Sequence, residues 1–217
     1  MQPYFYPYLG YFQLIHAVDV FVAFDDVNFI KKGWINRNRI LLDGKDHRFT
    51  IPLVKASQNK EIREIEVSTV EKWREKLLNT FEHAYKKAPM FDAVFPMIER
   101  SVNHEGDSIS SYALNSINEV INYLDIDTIV RPTSSSYANG HLNGENRILD
   151  ICEKEGANTY INPAGGRGIY SEENFREHSV YLRFINSDEV SYDQNIDNFV
   201  SNLSIIDLLM FVDKKGA

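Results

Sequence analysis

Val20-Phe21-Val22-Ala23-Phe24-Asp25-Asp26 is an apolar run of strand length that ends in two carboxylates. The apolar residues are continuous rather than alternating, so both faces of the strand are expected to be buried, as in a parallel sheet covered by helices. Carboxylates at the carboxyl end of such a strand lie where open α/β sheets bind ligands. The competing reading is that Asp25 and Asp26 cap a turn. Two adjacent aspartates are not a metal site in themselves, because neighbouring strand side chains point to opposite faces.

Outward from this strand, helical and strand patterns alternate. Leu9 to Val18 has helical spacing of its apolar residues. Arg39 to Leu42 and His47 to Leu53, joined through Asp43-Gly44, predict a β-hairpin. Ile62 to Val67 alternates and predicts a strand. Three helices follow, over 69–87, 91–102 and 107–124, the first ended by Pro89 and the last started by Asp107 or Ser108. Strand patterns return at 127–131, 158–162 and 180–185, with helices expected over 145–155, 171–177 and 204–212. The reading is a single α/β domain over 1–217, a three-layer Rossmann-like arrangement with a mainly parallel sheet. Residues 69–125 form a helical block inserted in it or flanking it.

The 217 residues carry 23 Lys and Arg against 31 Asp and Glu, a net charge of -8. That balance argues against a nucleic-acid partner. No apolar run approaches the ~18 residues of a membrane span, and the start of the chain has no signal-peptide pattern. The single cysteine, Cys152, excludes an internal disulfide and points to the cytoplasm; its neighbours place it on a helix face in the core. His83 and His104 lack partners at metal-ligand spacing and read as surface or capping residues. His16 and His47 read as a helix-face and a hairpin residue, with acid–base chemistry as the alternative.

Residues 1–39 hold the chemistry. Tyr4, Tyr6 and Tyr8 surround two prolines, and Gln2 precedes them. Lys31, Lys32, Trp34, Asn36, Arg37, Asn38 and Arg39 follow the aspartates. Aromatic rings with polar tips, amides, carboxylates and cations together suit a small polar molecule. The basic run against an acidic background suits a phosphate or carboxylate, or is simply a solvated hairpin end. Asn162-Pro163-Ala164-Gly165-Gly166, between a strand and a helix start, reads as an anion-binding loop built on Asn162, Gly165 and Gly166. It matches neither a P-loop nor a dinucleotide fingerprint.

Met1-Gln-Pro-Tyr-Phe-Tyr-Pro-Tyr-Leu-Gly-Tyr11, Trp34-Ile-Asn-Arg-Asn-Arg39, Lys86-Lys-Ala-Pro89, Tyr160-Ile-Asn-Pro-Ala-Gly-Gly166 and Leu203-Ser-Ile-Ile-Asp207 together resemble the WbqC-like family over nearly the whole chain. The resemblance implies a place in bacterial O-antigen and surface-polysaccharide biosynthesis, with glycine transfer as one suggested role. It also implies a short apolar strand ahead of the Met-Gln-Pro-Tyr motif, so this chain is expected either to lack that strand or to start internally. A second, partial likeness is to the nucleotidyltransferase and pantothenate-synthetase superfamily. There Tyr8 and Tyr11 would stand where the His-x-Gly-His motif has histidines, leaving Lys31, Lys32 or Arg37 to stabilise phosphate.

These readings give two expectations. The first is a transferase that places an aminoacyl group, glycine for preference, on a sugar. Asp25 or Asp26 would act as base or orienter, and Lys32 and Arg37 would meet the anionic donor. Gln2, Tyr4, Tyr6, Tyr8, Trp34, Asn36 and Asn38 would hold the acceptor. ATP would enter only if the amino acid arrives unactivated. The second is a non-catalytic binding protein for a nucleotide-sugar, or an assembly protein, of the same pathway. A hydrolase is disfavoured, since no Gly-x-Ser-x-Gly, His-Glu-x-x-His or paired-cysteine motif is present.

Overall fold

In a computed structural model, residues 1–216 are described except Glu71 and Glu189. The chain is mixed α/β, with seven α-helices and six short strands among the described residues. Strand β1 (Val20–Val22) pairs in parallel with β4 (Ile129–Arg131), and β5 (Thr159–Pro163) pairs in parallel with β6 (Tyr181–Ile185). Strands β2 (Arg37–Leu42) and β3 (Lys45–Thr50) form the antiparallel hairpin. Asp43 and Gly44, at φ 51° and 71°, supply the two left-handed residues that a tight two-residue hairpin turn requires.

The expected single, mainly parallel sheet is therefore met only in part, because the strands form three separate two-stranded ladders. A cavity of about 490 Å³ separates β1 from β5. Its walls include Val20, Phe21 and Val22 of β1 and Thr159 to Pro163 of β5. Leu14 of helix α1 (Leu9–His16) and Ile148, Ile151 and Cys152 of α5 (Gly144–Glu155) also line it. Met1 enters one end of this gap. Its ammonium donates to Val22 O at 2.7 Å, and its carbonyl accepts from Phe24 N at 2.8 Å. These two bonds set Met1 beside Ala23 in parallel register.

The segment 62–67, expected as a strand, is a 3-10 turn over Ile62–Glu64. Ile62 and Ile65, three residues apart, are both fully buried, which suits three residues per turn rather than alternation. Glu61 and Glu64 close a reciprocal capping box over it. The helical block is α2 (Trp73–Tyr85), α3 (Phe91–Val102) and α4 (Ile109–Leu124). The expected start of α2 at residue 69 moves to Trp73, since Lys72 sits at φ 75°; Glu71 lies outside the described residues. Ser108 caps α4 through its side chain, as its sequence position implies. The short α6 (Glu172–Glu177) is capped by Ser171, and α7 (Ile205–Phe211) by Ser204.

One large apolar cluster joins the N-terminal segment, α1, the hairpin, α2–α4 and α7. A smaller one, with Leu149, Cys152, Phe175, Val180 and Leu182, joins α5, α6 and the strand β6. The aromatic N-terminal motif belongs largely to the first. Phe5, Tyr6 and Tyr11 are fully buried, and Tyr6 O accepts from both Asn38 Nδ2 at 2.6 Å and Ser204 Oγ at 2.8 Å.

Two outcomes are expected. Ser204→Ala removes a helix cap and a bond to Tyr6 O together, and should cost about 1–2 kcal/mol in urea unfolding. The second concerns the Met1 amine, which burial pushes down to about 5 from 8.0, with Asp25 opposing in part. A folded-state value below the unfolded one means that the unfolded chain binds the extra proton between about pH 5 and 8. Stability should therefore rise with pH across that window.

Candidate functional site

The parallel strands set the geometry. The chain leaves β1 into Phe24-Asp25-Asp26, leaves β4 into Thr133-Ser134, and leaves β5 into the Pro163–Gly166 loop, so all three segments follow carboxyl ends. Pairing of β1 with β4 brings the first two together. Asp25 is 4% exposed. Its Oδ1 accepts from Thr133 Oγ1 at 2.7 Å and from Ser134 N at 3.3 Å. Its Oδ2 accepts from Ser110 Oγ of α4 at 2.9 Å. Asp26 Oδ1 accepts from the Ser134 hydroxyl, and its Oδ2 from the Arg147 guanidinium at 2.5 Å.

Arg147 comes from α5 and is itself buried. Its Nε donates to Asn139 Oδ1 at 3.0 Å, and its guanidinium carbon lies 4.6 Å from the centre of the Phe24 ring. Asn139 in turn donates to Asp150 Oδ2 at 2.6 Å, and Lys154 pairs with the same oxygen at 2.8 Å. Every ionised group in this chain of contacts has a charged or polar partner, as burial demands. The pair of aspartates faces one buried guanidinium, so carboxyl groups outnumber guanidinium groups in the cluster. Arg63 adds a more distant positive charge, and its backbone N–H donates to Asp25 O at 3.1 Å.

Asn162, Pro163 and Phe24 share the wall of the cavity between β1 and β5, which places the glycine-bearing loop beside the segment leaving β1. Gly166 packs against the Asn162 side chain, whose amide would have to shift to admit a Cβ there. Gly165 faces open space. Tyr4 and Tyr8 are half-buried, and Gln2 follows Met1 with its carbonyl accepting from Tyr11 OH at 2.8 Å.

The remaining expected site residues fall elsewhere. Tyr6 is a core residue rather than a sugar platform: it is fully buried, its hydroxyl donates to Ser101 Oγ at 2.8 Å, and burial raises the phenol above its usual range. Asn38 is buried too, spending its amide on Tyr6 O, and Asn36 donates to Ile51 O at 2.8 Å across the chain. Lys32 and Trp34 stand exposed on the turn before β2, and Arg37 Nε donates to Gly33 O at 2.7 Å within that turn. Cys152 is buried, and burial pushes its thiol up to about 11, away from nucleophilic use.

Thr133, Ser134, Asn139 and Arg147 were not singled out by motif. Thr133 and Ser134 directly follow the strand that ends at Arg131, and that position was the available signal. Arg147 sits in a helix pattern whose apolar neighbours gave no reason to aim it inward. The profile of the WbqC-like protein family matches residues 2–217. An uncharacterized protein of Mycobacterium tuberculosis, Rv1507c, is 27% identical over 216 residues, covering 98% of this chain and 92% of that protein. No solved structure matches.

Arg147→Met leaves Asp26 buried without its cation and should cost about 3–5 kcal/mol in denaturant unfolding. Pairing it with Asp26→Asn should restore a large part of that loss, since the unpaired charge is then gone. A double variant no more stable than Arg147→Met would show that the two groups act independently.

Proposed function

This chain belongs to the WbqC-like protein family, and from that premise we propose that it is a transferase of bacterial surface-polysaccharide biosynthesis. It moves an aminoacyl group, glycine for preference, onto a sugar hydroxyl or amine. The observation that carries this reading is the buried Asp25–Asp26–Arg147 cluster at the carboxyl ends of paired parallel strands. Its surplus of carboxyl groups suits the ammonium of an amino acid. The adjoining Asn162–Gly166 loop offers backbone N–H groups to the carboxylate or phosphate at the other end of the donor. Tyr4, Tyr8 and Gln2, partly exposed, supply aromatic and amide surface to the sugar.

In this reading the aspartates orient more than they abstract. Asp25 holds the Thr133 hydroxyl at 2.7 Å, and that half-buried hydroxyl is bonded onward to Ser135 at 2.8 Å. Asp26 accepts from the Ser134 hydroxyl on one oxygen and from Arg147 on the other. A carboxylate aligned on a hydroxyl sets the direction in which a proton leaves. ATP supplies the activation if the amino acid arrives as the free acid; Arg63, exposed beside the aspartates, is then the cation nearest the phosphates.

A second reading is favoured by one observation: all four carboxylate oxygens already receive a hydrogen bond from within the protein. A site so fully engaged also serves a protein that binds a nucleotide-sugar and does no chemistry. Thermal-shift binding against ATP, glycine, UDP-sugars and dTDP-sugars separates the two. A shift with ATP that grows with glycine, together with turnover that Asp25→Asn lowers about 100-fold or more, is the transferase outcome. A shift with a nucleotide-sugar alone, unaltered by Asp25→Asn and without turnover, is the binding-protein outcome. No shift with any of them sinks both.

A further inference from the structure

The turn between β1 and the hairpin is unused by that site. Gly33 N donates to Ile30 O at 3.2 Å, Lys32 adopts φ 62°, and Arg37 Nε holds Gly33 O at 2.7 Å. This tight turn carries two large apolar side chains outward: Ile30 is 51% exposed and Trp34 42%. Burying such groups in the core is the rule, and their neighbours obey it, since Phe29 and Ile35 are 3% and 1% exposed. Lys31 and Lys32 stand between them, both exposed.

The hairpin extends the same face. Alternation along β2 puts Arg37 and Arg39 on the side opposite buried Asn38 and Ile40. The register sets Arg48 of β3 directly across from Arg39, on that same side. The Arg39 guanidinium lies 5.7 Å from the Trp34 ring centre, which joins the hairpin face to the turn. Among the described residues, the one ion pair that Lys31, Lys32, Arg37, Arg39 and Arg48 make is that of Arg39 with Asp46 at 2.6 Å. A chain with a net charge of -8 thus concentrates a surplus of positive charge around two protruding apolar side chains.

We propose that this face, Ile30 and Trp34 with Lys31, Lys32 and Arg48 around them, docks the protein on the surface of an anionic lipid bilayer. The chemistry is that of a peripheral contact. Indole and aliphatic side chains enter the headgroup boundary, while lysines and arginines pair with lipid phosphates. No spanning segment is needed, and no helix of the described residues is long and apolar enough to cross a membrane. A free sugar-phosphate fits less well, because the face projects apolar side chains outward and has no enclosing wall. This inference does not rest on the transferase reading, because none of its residues contacts the aspartate cluster.

Co-sedimentation of the full chain with vesicles tests it. At low salt the protein should bind vesicles of mixed phosphatidylglycerol and phosphatidylcholine, and bind pure phosphatidylcholine much less. Each basic residue near an anionic surface contributes about fivefold, so Lys31→Ala with Lys32→Ala should lower the partition constant roughly 25-fold. Ile30→Ser with Trp34→Ser should lower it about tenfold. The blue shift of tryptophan emission on binding should vanish in Trp34→Phe, leaving only the signal of Trp73. All these positions are exposed, so circular dichroism and Tm should stay as in the parent. Failure to bind anionic vesicles would overturn the proposal. So would binding that soluble polyphosphate removes and Ile30→Ser with Trp34→Ser leaves unchanged, which would identify a polyanion site.

Discussion

The backbone carbonyl of Tyr6 is the point on which the architecture turns. It receives hydrogen bonds from Asn38 and Ser204, side chains 32 and 198 positions away. The residue bearing it sits at φ 45°, a conformation that costs a β-carbon-bearing residue about a kilocalorie or more. The surroundings repay that cost. Tyr6 N donates to Ser116 Oγ at 3.1 Å, the ring is packed at 5.0 Å from Phe5, and Ile205 N donates to Pro7 O at 2.9 Å. Three motifs far apart in the chain thus meet at one peptide unit. The helical block contributes Ser116 and Ser101 to the same meeting, which ties it to the strand-bearing part.

Carboxyl groups in the interior follow two different solutions. Asp26 is balanced by a cation, Arg147, itself held by Asn139 and the Phe24 ring. Among the described residues, the side-chain partners of Asp207, fully buried in α7, are neutral: Tyr85 OH at 2.6 Å, Tyr192 OH at 2.7 Å and Gln194 Nε2 at 2.8 Å. Burial and the neighbouring carboxylate keep both phenols well above their usual range, so they remain donors at all ordinary pH values. The first solution leaves a polar group that a ligand's charge can compete for. The second is a closed structural knot, consistent with its position between α2, α7 and the segment before α7.

Much of the fold was legible because helices announce themselves. The boundaries of α3 follow from its apolar spacing, and the caps at Ser108, Ser171 and Ser204 from side chains that satisfy free N–H groups. The hairpin follows from Asp43-Gly44. The 3-10 turn at Ile62 was hidden because a short run with apolar residues three apart also contains pairs two apart. The division into three ladders was hidden because strand pairing is a long-range property that no local pattern encodes. For the site, Asp25 and Asp26 were legible from their place at a strand end. Their partners Thr133 and Arg147 lie 108 and 121 residues further on; the β1–β4 pairing brings Thr133 near, and α5 brings Arg147. The buried fates of Tyr6 and Asn38 were illegible for a related reason: a tyrosine looks the same in sequence whether its hydroxyl faces a ligand or a serine.

The bond from Ser204 to Tyr6 also has a temporal meaning. A ribosome releases the first motif long before it has made α7, so of the two bonds to the Tyr6 carbonyl the one from Asn38 can form early and the one from Ser204 must wait. Contacts this distant are slow to form, because the loop they close must be ordered before they repay it. The fully buried Phe5 and Tyr6 of this segment therefore lack part of their final support until synthesis is nearly complete. That interval is when the segment is most exposed to aggregation or to a holding chaperone.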